Sequence, residues 1–321
     1  MASVAGSVTA RSTATRAFAA AAWCTLGWNL LVILWGAYVR ASGSGAGCGG
    51  HWPLCNGQVV PSAPQGATII EYAHRLSSGV ALIAVFALAF AARRVFPKHH
   101  AVRKASVAAA VLIVTEALLG AGLVLFDYVA HNASAGRAAY LSLHLVNTQL
   151  LLASLFTTAW LARRDESALP RVRPLLWAAL CAALVVSITG AIAALGDTLF
   201  PATSLAAGMS QDFSSAASGL LRLRIIHPAI AVIASVLILY SALRSLRGTT
   251  AAGTRRAAQC VLLLVFAQLC VGAVNIALLA PVFMQIGHLL VADLLWLALV
   301  ALALEGGNIT RSAGVLGSRM A

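Results

Sequence analysis

The chain has 321 residues, of which 60% are hydrophobic and only 10% charged, and its mean hydropathy is +0.89. That composition lies outside the range of soluble globular domains and excludes a water-soluble enzyme or scaffold. The net charge of +13 would point to nucleic acid if it formed one patch, but the Lys and Arg residues fall in separate short loops, so the charge reports topology and no nucleic-acid partner.

Apolar runs measured against the ~20 residues needed to cross a bilayer predict eight transmembrane helices, roughly 17–39, 70–92, 105–127, 140–162, 175–197, 220–243, 257–280 and 283–304. The first run exceeds the ~7–15 apolar residues of a cleavable signal and reads as a retained helix. Of the 22 Lys and Arg, seventeen lie before the first span, after the second, fourth and sixth, and at the C-terminus. Only Arg40, Arg75, Arg137, Arg222 and Arg224 lie on the opposite side. This asymmetry places both termini in the cytoplasm and the chain in the cell membrane among its lipids.

Between the first two spans runs a Gly-, Ser- and Pro-rich outer loop, 40–69, containing Cys48-Gly-Gly-His-Trp-Pro-Leu-Cys55. Its two cysteines face the oxidising side, so a Cys48–Cys55 disulfide is expected, with a three-ligand metal site that adds His51 as the sharper alternative. Covalent haem attachment would need C-x-x-C-H, which is absent. Cys24, Cys181, Cys260 and Cys270 lie in apolar spans and read as packing residues. His51, His99, His100 and His131 lie in loops and are expected to face solvent.

The second span opens with Glu71-Tyr72-Ala73-His74-Arg75, three ionisable residues at the mouth of a membrane-length run. Charge is costly in hydrocarbon, so a carboxylate and an imidazole three residues apart on one helical face suggest a site; the plainer reading is an i,i+4 pair of Glu71 with Arg75. His144, His227 and His288 sit at similar depths in the fourth, sixth and eighth spans. A polar hinge, 163–174, separates two sets of four spans, and positions match across it. Gly36 corresponds to Gly190, His74 to His227, Glu116 to Gln268, Gly120 to Gly272 and His144 to His288. Four spans per half make this a parallel duplication about an axis along the membrane normal. The predicted fold class is therefore all-α and polytopic, two tandem four-helix bundles, 1–169 and 170–321.

All four histidine-bearing spans then run the same way, each with its histidine near the outer end. An iron porphyrin takes one imidazole from each of two helices, giving one site of His74 with His144 and another of His227 with His288. Gln149 and Asp293, each five residues beyond a histidine, also match; they read as partners of those histidines or as interhelical hydrogen bonds. The halves differ at one position: Glu71 precedes His74 by three residues, whereas Arg224 precedes His227 by three. A carboxylate suits proton handling or stabilisation of positive charge, and a guanidinium suits a haem propionate. The first site therefore reads as catalytic and the second as electron storage. Pro228, next to His227, is expected to kink the sixth span.

With Gly36-Ala-Tyr-Val-Arg40-Ala-Ser-Gly-Ser-Gly, the Cys48–Cys55 loop, Glu71-Tyr-Ala-His74-Arg75 and the three later histidines in view, the chain resembles the haem A synthase family from about Trp28 to Glu305. The resemblance implies oxidation of the C8 methyl of haem O to the formyl of haem A. It implies haem b at His227 and His288, substrate at His74 and His144, Glu71 as the essential carboxylate, and Cys48 and Cys55 as the cysteine pair of one branch. Implied partners are a haem O synthase and an electron-transfer protein, and a homo-oligomer is compatible with it. The segment Cys48-Gly-Gly-His-Trp52 departs from the family's usual Cys-Pro-Asp-Trp. A di-haem electron-transfer cytochrome is the main rival reading and a transporter the weaker one.

Overall fold

A computed structural model describes residues 2–164, 167–214 and 219–319. Residues 165 and 166 of the predicted hinge lie outside this set. The described chain is all helical: α1 (Ala2–Ala41), α2 (Gly66–Val95), α3 (Ala101–Leu125), α4 (Ala135–Arg164), α5 (Pro174–Leu199), a short α6 (Leu205–Asp212), α7 (Gly219–Arg247), α8 (Ala252–Ala277) and α9 (Val282–Arg319). A single 3-10 turn, Ser44–Ala46, follows α1. Eight of these helices are long and apolar enough to span a membrane, and the protein is a multi-pass membrane protein, as its apolar runs predicted. Six of the predicted spans fall inside the observed helices, while 105–127 and 257–280 overrun α3 and α8 by two and three residues; α2 begins at Gly66, four residues before the expected start.

Helix packing follows two rings. α1 packs on α2, α2 on α3, α3 on α4 and α4 back on α1; α5, α7, α8 and α9 close a second ring in the same way. α4 and α1 meet α9, and α4 meets α5, so the rings share a flank. The buried core runs across that flank without interruption, from Leu26 and Val85 through Leu152 and Leu155 to Val261, Leu299 and Leu302. Large apolar side chains on the outer faces, including Ile83, Phe90, Leu263 and Phe266, are exposed, as lipid-facing positions are. Cys24, Cys181, Cys260 and Cys270 are on exposed faces too, so they are not interior packing residues as their apolar spans suggested. Basic residues occupy the last turns of α2 (Arg93, Arg94), α4 (Arg163, Arg164) and α7 (Arg244, Arg247), where they complement the helix dipole.

Two buried polar contacts join the rings. Gln149 Nε2 donates to Asp293 Oδ1 at 2.9 Å, and Trp296 Nε1 donates to the Gln149 carbonyl at 2.7 Å. The two positions paired by their spacing from the histidines thus meet each other between α4 and α9, in an interhelical hydrogen bond. Nearer the other end of α4, Glu305 accepts from Trp160 Nε1 and pairs with Arg164. Residue His100, expected in solvent, is instead buried: it caps α3, its Nδ1 accepting from the Val102 amide, and its ring lies 4.7 Å from that of Phe96.

Candidate functional site

The four span histidines lie in the second or third turn of α2, α4, α7 and α9, all at the end that carries the loop between α1 and α2. Each is backed by a glycine on a neighbouring helix. An added Cβ at Gly36 would meet His74 Cε1 at 2.8 Å, at Gly190 His227 Cε1 at 3.0 Å, at Gly272 His288 Cε1 at 3.0 Å, and at Gly120 His144 Nε2 at 3.6 Å. These four glycines therefore have a shared physical reason: they let an imidazole lie against a helix backbone. His74 and His144 stand on α2 and α4 of the first ring, and His227 and His288 on α7 and α9 of the second, all at the same end.

The ring contacts differ. Nδ1 of His74 and Nδ1 of His288 are buried without a hydrogen-bond partner. His227 Nδ1 is 3.0 Å from Thr189 Oγ1, and His288 Nε2 is 3.3 Å from Gln268 Nε2. His144 alone faces an acid: its Nδ1 lies 2.9 Å from Glu116 Oε1, off the line of a straight hydrogen bond. Glu116 also accepts from Asn147 Nδ2 and contacts the Thr148 hydroxyl. An orphaned buried imidazole nitrogen is costly, and the combination of such rings with glycine-lined backing fits a flat iron-centred ligand between facing helices.

Glu71 is 4% exposed. Its Oε2 accepts from the Cys48 amide at 2.8 Å, and its Oε1 accepts from Arg75 Nη2 and from Arg75 Nε at 3.2 Å. The i,i+4 pair read from the sequence is present, and it has a further task. Arg75 Nη1 also donates to the carbonyls of His51 and Leu54, each at 2.6 Å. Cys48 and Cys55 are joined in a disulfide. Thr68 Oγ1 donates to the Gly47 carbonyl at 2.8 Å, where a Cβ on Gly47 would meet the Ala67 backbone at 2.4 Å. The disulfide loop is thereby seated on the first turns of α2 by charge-assisted bonds.

Two arginines complete this end. Arg40, at the end of α1, donates to the Ala194 carbonyl at 2.8 Å, Thr198 Oγ1 at 2.9 Å and Gln285 Oε1 at 3.0 Å, tying the first ring to α5 and α9. Arg224 donates to Asp212 Oδ1 at 3.0 Å through Nε, to Asp197 Oδ1 at 3.3 Å and to the Phe200 carbonyl at 3.2 Å. Its guanidinium is already engaged by the chain's own carboxylates. The sequence singled out neither Arg40 nor the Glu116–His144 contact as part of the site. An acid in mid-span was the available signal for Glu116; for Arg40 there was only its place at a span end.

Two rings of four membrane helices, each with a pair of half-buried histidines at one end, define a polytopic membrane protein. Residues 19–300 match the model of the cytochrome oxidase assembly proteins, COX15-CtaA, and the chain belongs to that family. It is 46% identical over 289 residues to a Thermus thermophilus protein named protoheme IX farnesyltransferase, covering 88% of this chain and 47% of that protein. It is 39% identical over 136 residues to the heme A synthase of Alkalihalophilus pseudofirmus, covering 42% of this chain and 43% of that one. The heme A synthase of Halalkalibacterium halodurans is 37% identical over 136 residues. The chain thus spans about half the length of the curated relatives it matches.

Proposed function

We propose that this protein is a haem A synthase, oxidising the C8 methyl of haem O to the formyl of haem A. In this reading His74 and His144 ligate the substrate iron, His227 and His288 hold haem b, and Glu71 is the catalytic carboxylate. The observation that carries it is that four glycine-backed histidines form two like pairs, whereas an acid precedes a histidine by one turn or lies against its ring in the first, as Glu71 does before His74 and Glu116 at His144, and the acids of the second, Asp197 and Asp212, are paired with Arg224. The same pattern, with Gln149 meeting Asp293, supports a tandem duplication with halves 1–169 and 170–321.

Converting methyl to formyl removes four electrons and adds one oxygen atom. Two successive hydroxylations, each taking its oxygen from water and giving up two electrons and two protons, the electrons to the accepting partner protein, give a hydroxymethyl and then a geminal diol, which loses water to leave the aldehyde. Glu71, fixed by the Cys48 amide and Arg75, presents negative charge where positive charge develops on the methyl carbon. The Arg75 contacts to the loop carbonyls hold the loop against the first turns of α2, at the Glu71 end. Haem b, when bound, supplies one-electron relay to a partner protein. Arg224 faces the second site as its cation, where a propionate would exchange for Asp197 or Asp212.

The basic residues in the last turns of α2, α4 and α7 support placing that end in the cytoplasm and the histidines toward the outer face of the cell membrane. The Thermus relatives' name supports a haem-farnesylating partner as the source of haem O. It also raises a second reading, that this chain itself farnesylates protohaem. Prenyl transfer from a diphosphate calls for acids gathered around a divalent cation. Among the described residues no three His, Cys, Asp or Glu side chains are so gathered. Because the chain matches about half of those relatives, their name need not describe the matching half. Membranes co-expressing the protein with a source of haem O should yield haem A on pigment extraction and mass spectrometry. Unchanged haem O would leave a di-haem electron carrier, and haem O made from haem B without that source would establish the farnesyltransferase.

A further inference from the structure

We infer that Glu116 is a positioning residue that accepts the Nδ1 proton of His144 and makes that imidazole the strongly donating axial ligand of the substrate iron, setting the first site apart from the second. The inference rests on the proposed ligation by His74 and His144. Three observations carry it.

The carboxylate is placed and held: Asn147 Nδ2 donates to Oε2, Thr148 touches Oε1, and Asn147 is itself anchored to the Leu112 carbonyl at 2.9 Å. Its free direction is toward His144 Nδ1, 2.9 Å away. An imidazole whose Nδ1–H is taken by a carboxylate keeps Nε2 as its lone-pair face and becomes more basic there. Because the ring lies off the line of a straight bond, a small rotation on ligation would complete it.

The matched position in the other half is Gln268, neutral, beside His288. Thr189, at His227, is neutral as well. The anionic contact is confined to the ring that also holds Glu71. An electron-rich axial ligand favours the ferric state and eases removal of electrons from the bound porphyrin, whereas a neutral second partner leaves the other centre the more readily reduced. Side-chain charge thus orders the two centres in potential although their ligands are alike.

The test is spectroelectrochemical titration of the purified full-length protein loaded with haem O, comparing wild type, Glu116→Gln and Gln268→Glu. Glu116→Gln should make reduction of the first centre about tenfold more favourable, a rise of about 59 mV for a one-electron couple, with the second unmoved. Gln268→Glu should lower the second centre by a similar factor. A merely structural Glu116 would lower thermal stability and leave both potentials in place, which overturns the inference. If His74→Ala and His144→Ala leave the bound haem O spectrum unchanged, the ligand assignment itself has failed, an outcome separable from unaltered potentials with the ligands intact.

Discussion

Glycine to alanine at the four histidine contacts probes the site through distance alone. A Cβ at position 36 would stand 2.8 Å from His74 Cε1 and 3.1 Å from Nε2, and the backbone of α1 prevents retreat on the glycine's side. The imidazole must therefore move by about 0.6 Å to reach ordinary contact, beyond the ~0.5 Å tolerance of a working site. At positions 190 and 272 the first contact is 3.0 Å, and at position 120 it is 3.6 Å, already ordinary. Alanine favours a helix over glycine by roughly 0.8–1 kcal/mol, which offsets part of the overpacking cost, and thermal melting of each variant separates loss of haem from unfolding. A misplacement of this size costs on the order of tenfold to hundredfold in function. Gly36→Ala should therefore lose most haem A formation and substrate binding; Gly190→Ala and Gly272→Ala should weaken haem b; and Gly120→Ala should stay within about threefold of wild type. Difference spectra and haem-to-protein ratios of the four purified variants read this order directly. Equal damage at positions 120 and 36, or none at 36, would refute the view that these glycines exist to seat imidazoles.

Glu71→Gln keeps an acceptor for the Cys48 amide and removes the charge, so haem content should persist while haem A formation falls at least about a hundredfold; unchanged product would remove Glu71 from the chemistry. His288→Ala should abolish the low-spin haem b spectrum, and its retention would dissolve the His227–His288 pair. Replacing Cys48 and Cys55 together by Ala frees a loop whose closure stabilises by about 2.5 kcal/mol in the chain-entropy account. Proteolysis within residues 48–55 should then accelerate, and activity should fall further than haem content. Full activity with an open loop would show that seating Glu71 does not depend on the bridge.

The spans were legible in the sequence because a bilayer sets a length that apolar runs must meet, and eight runs met it. The Cys48–Cys55 pairing was legible from closeness in sequence and from the side of the membrane that the charge asymmetry predicts for the loop. Matched spacing across the hinge revealed the glycines and histidines, although the backing of each ring by a glycine required the helices to be packed. What the sequence hid depends on side chains meeting across segments. Arg224 reaches Asp197 and Asp212 from two other elements, and Arg40 reaches α5 and α9 from α1. Helix α6 escaped notice because eight residues in a Ser- and Gly-containing connection are too short for a periodic signal. The burial of His100 follows from the turn between α2 and α3, where Phe96 covers a ring that the loop's polarity alone would leave in water.

Low-temperature electron paramagnetic resonance of the purified ferric protein, loaded with haem O, reads the axial ligands of both irons. Two low-spin bis-imidazole centres are expected, one lost with His74→Ala or His144→Ala and the other with His227→Ala or His288→Ala. A loaded protein with no axial nitrogen coordination, or with centres indifferent to all four substitutions, would contradict it.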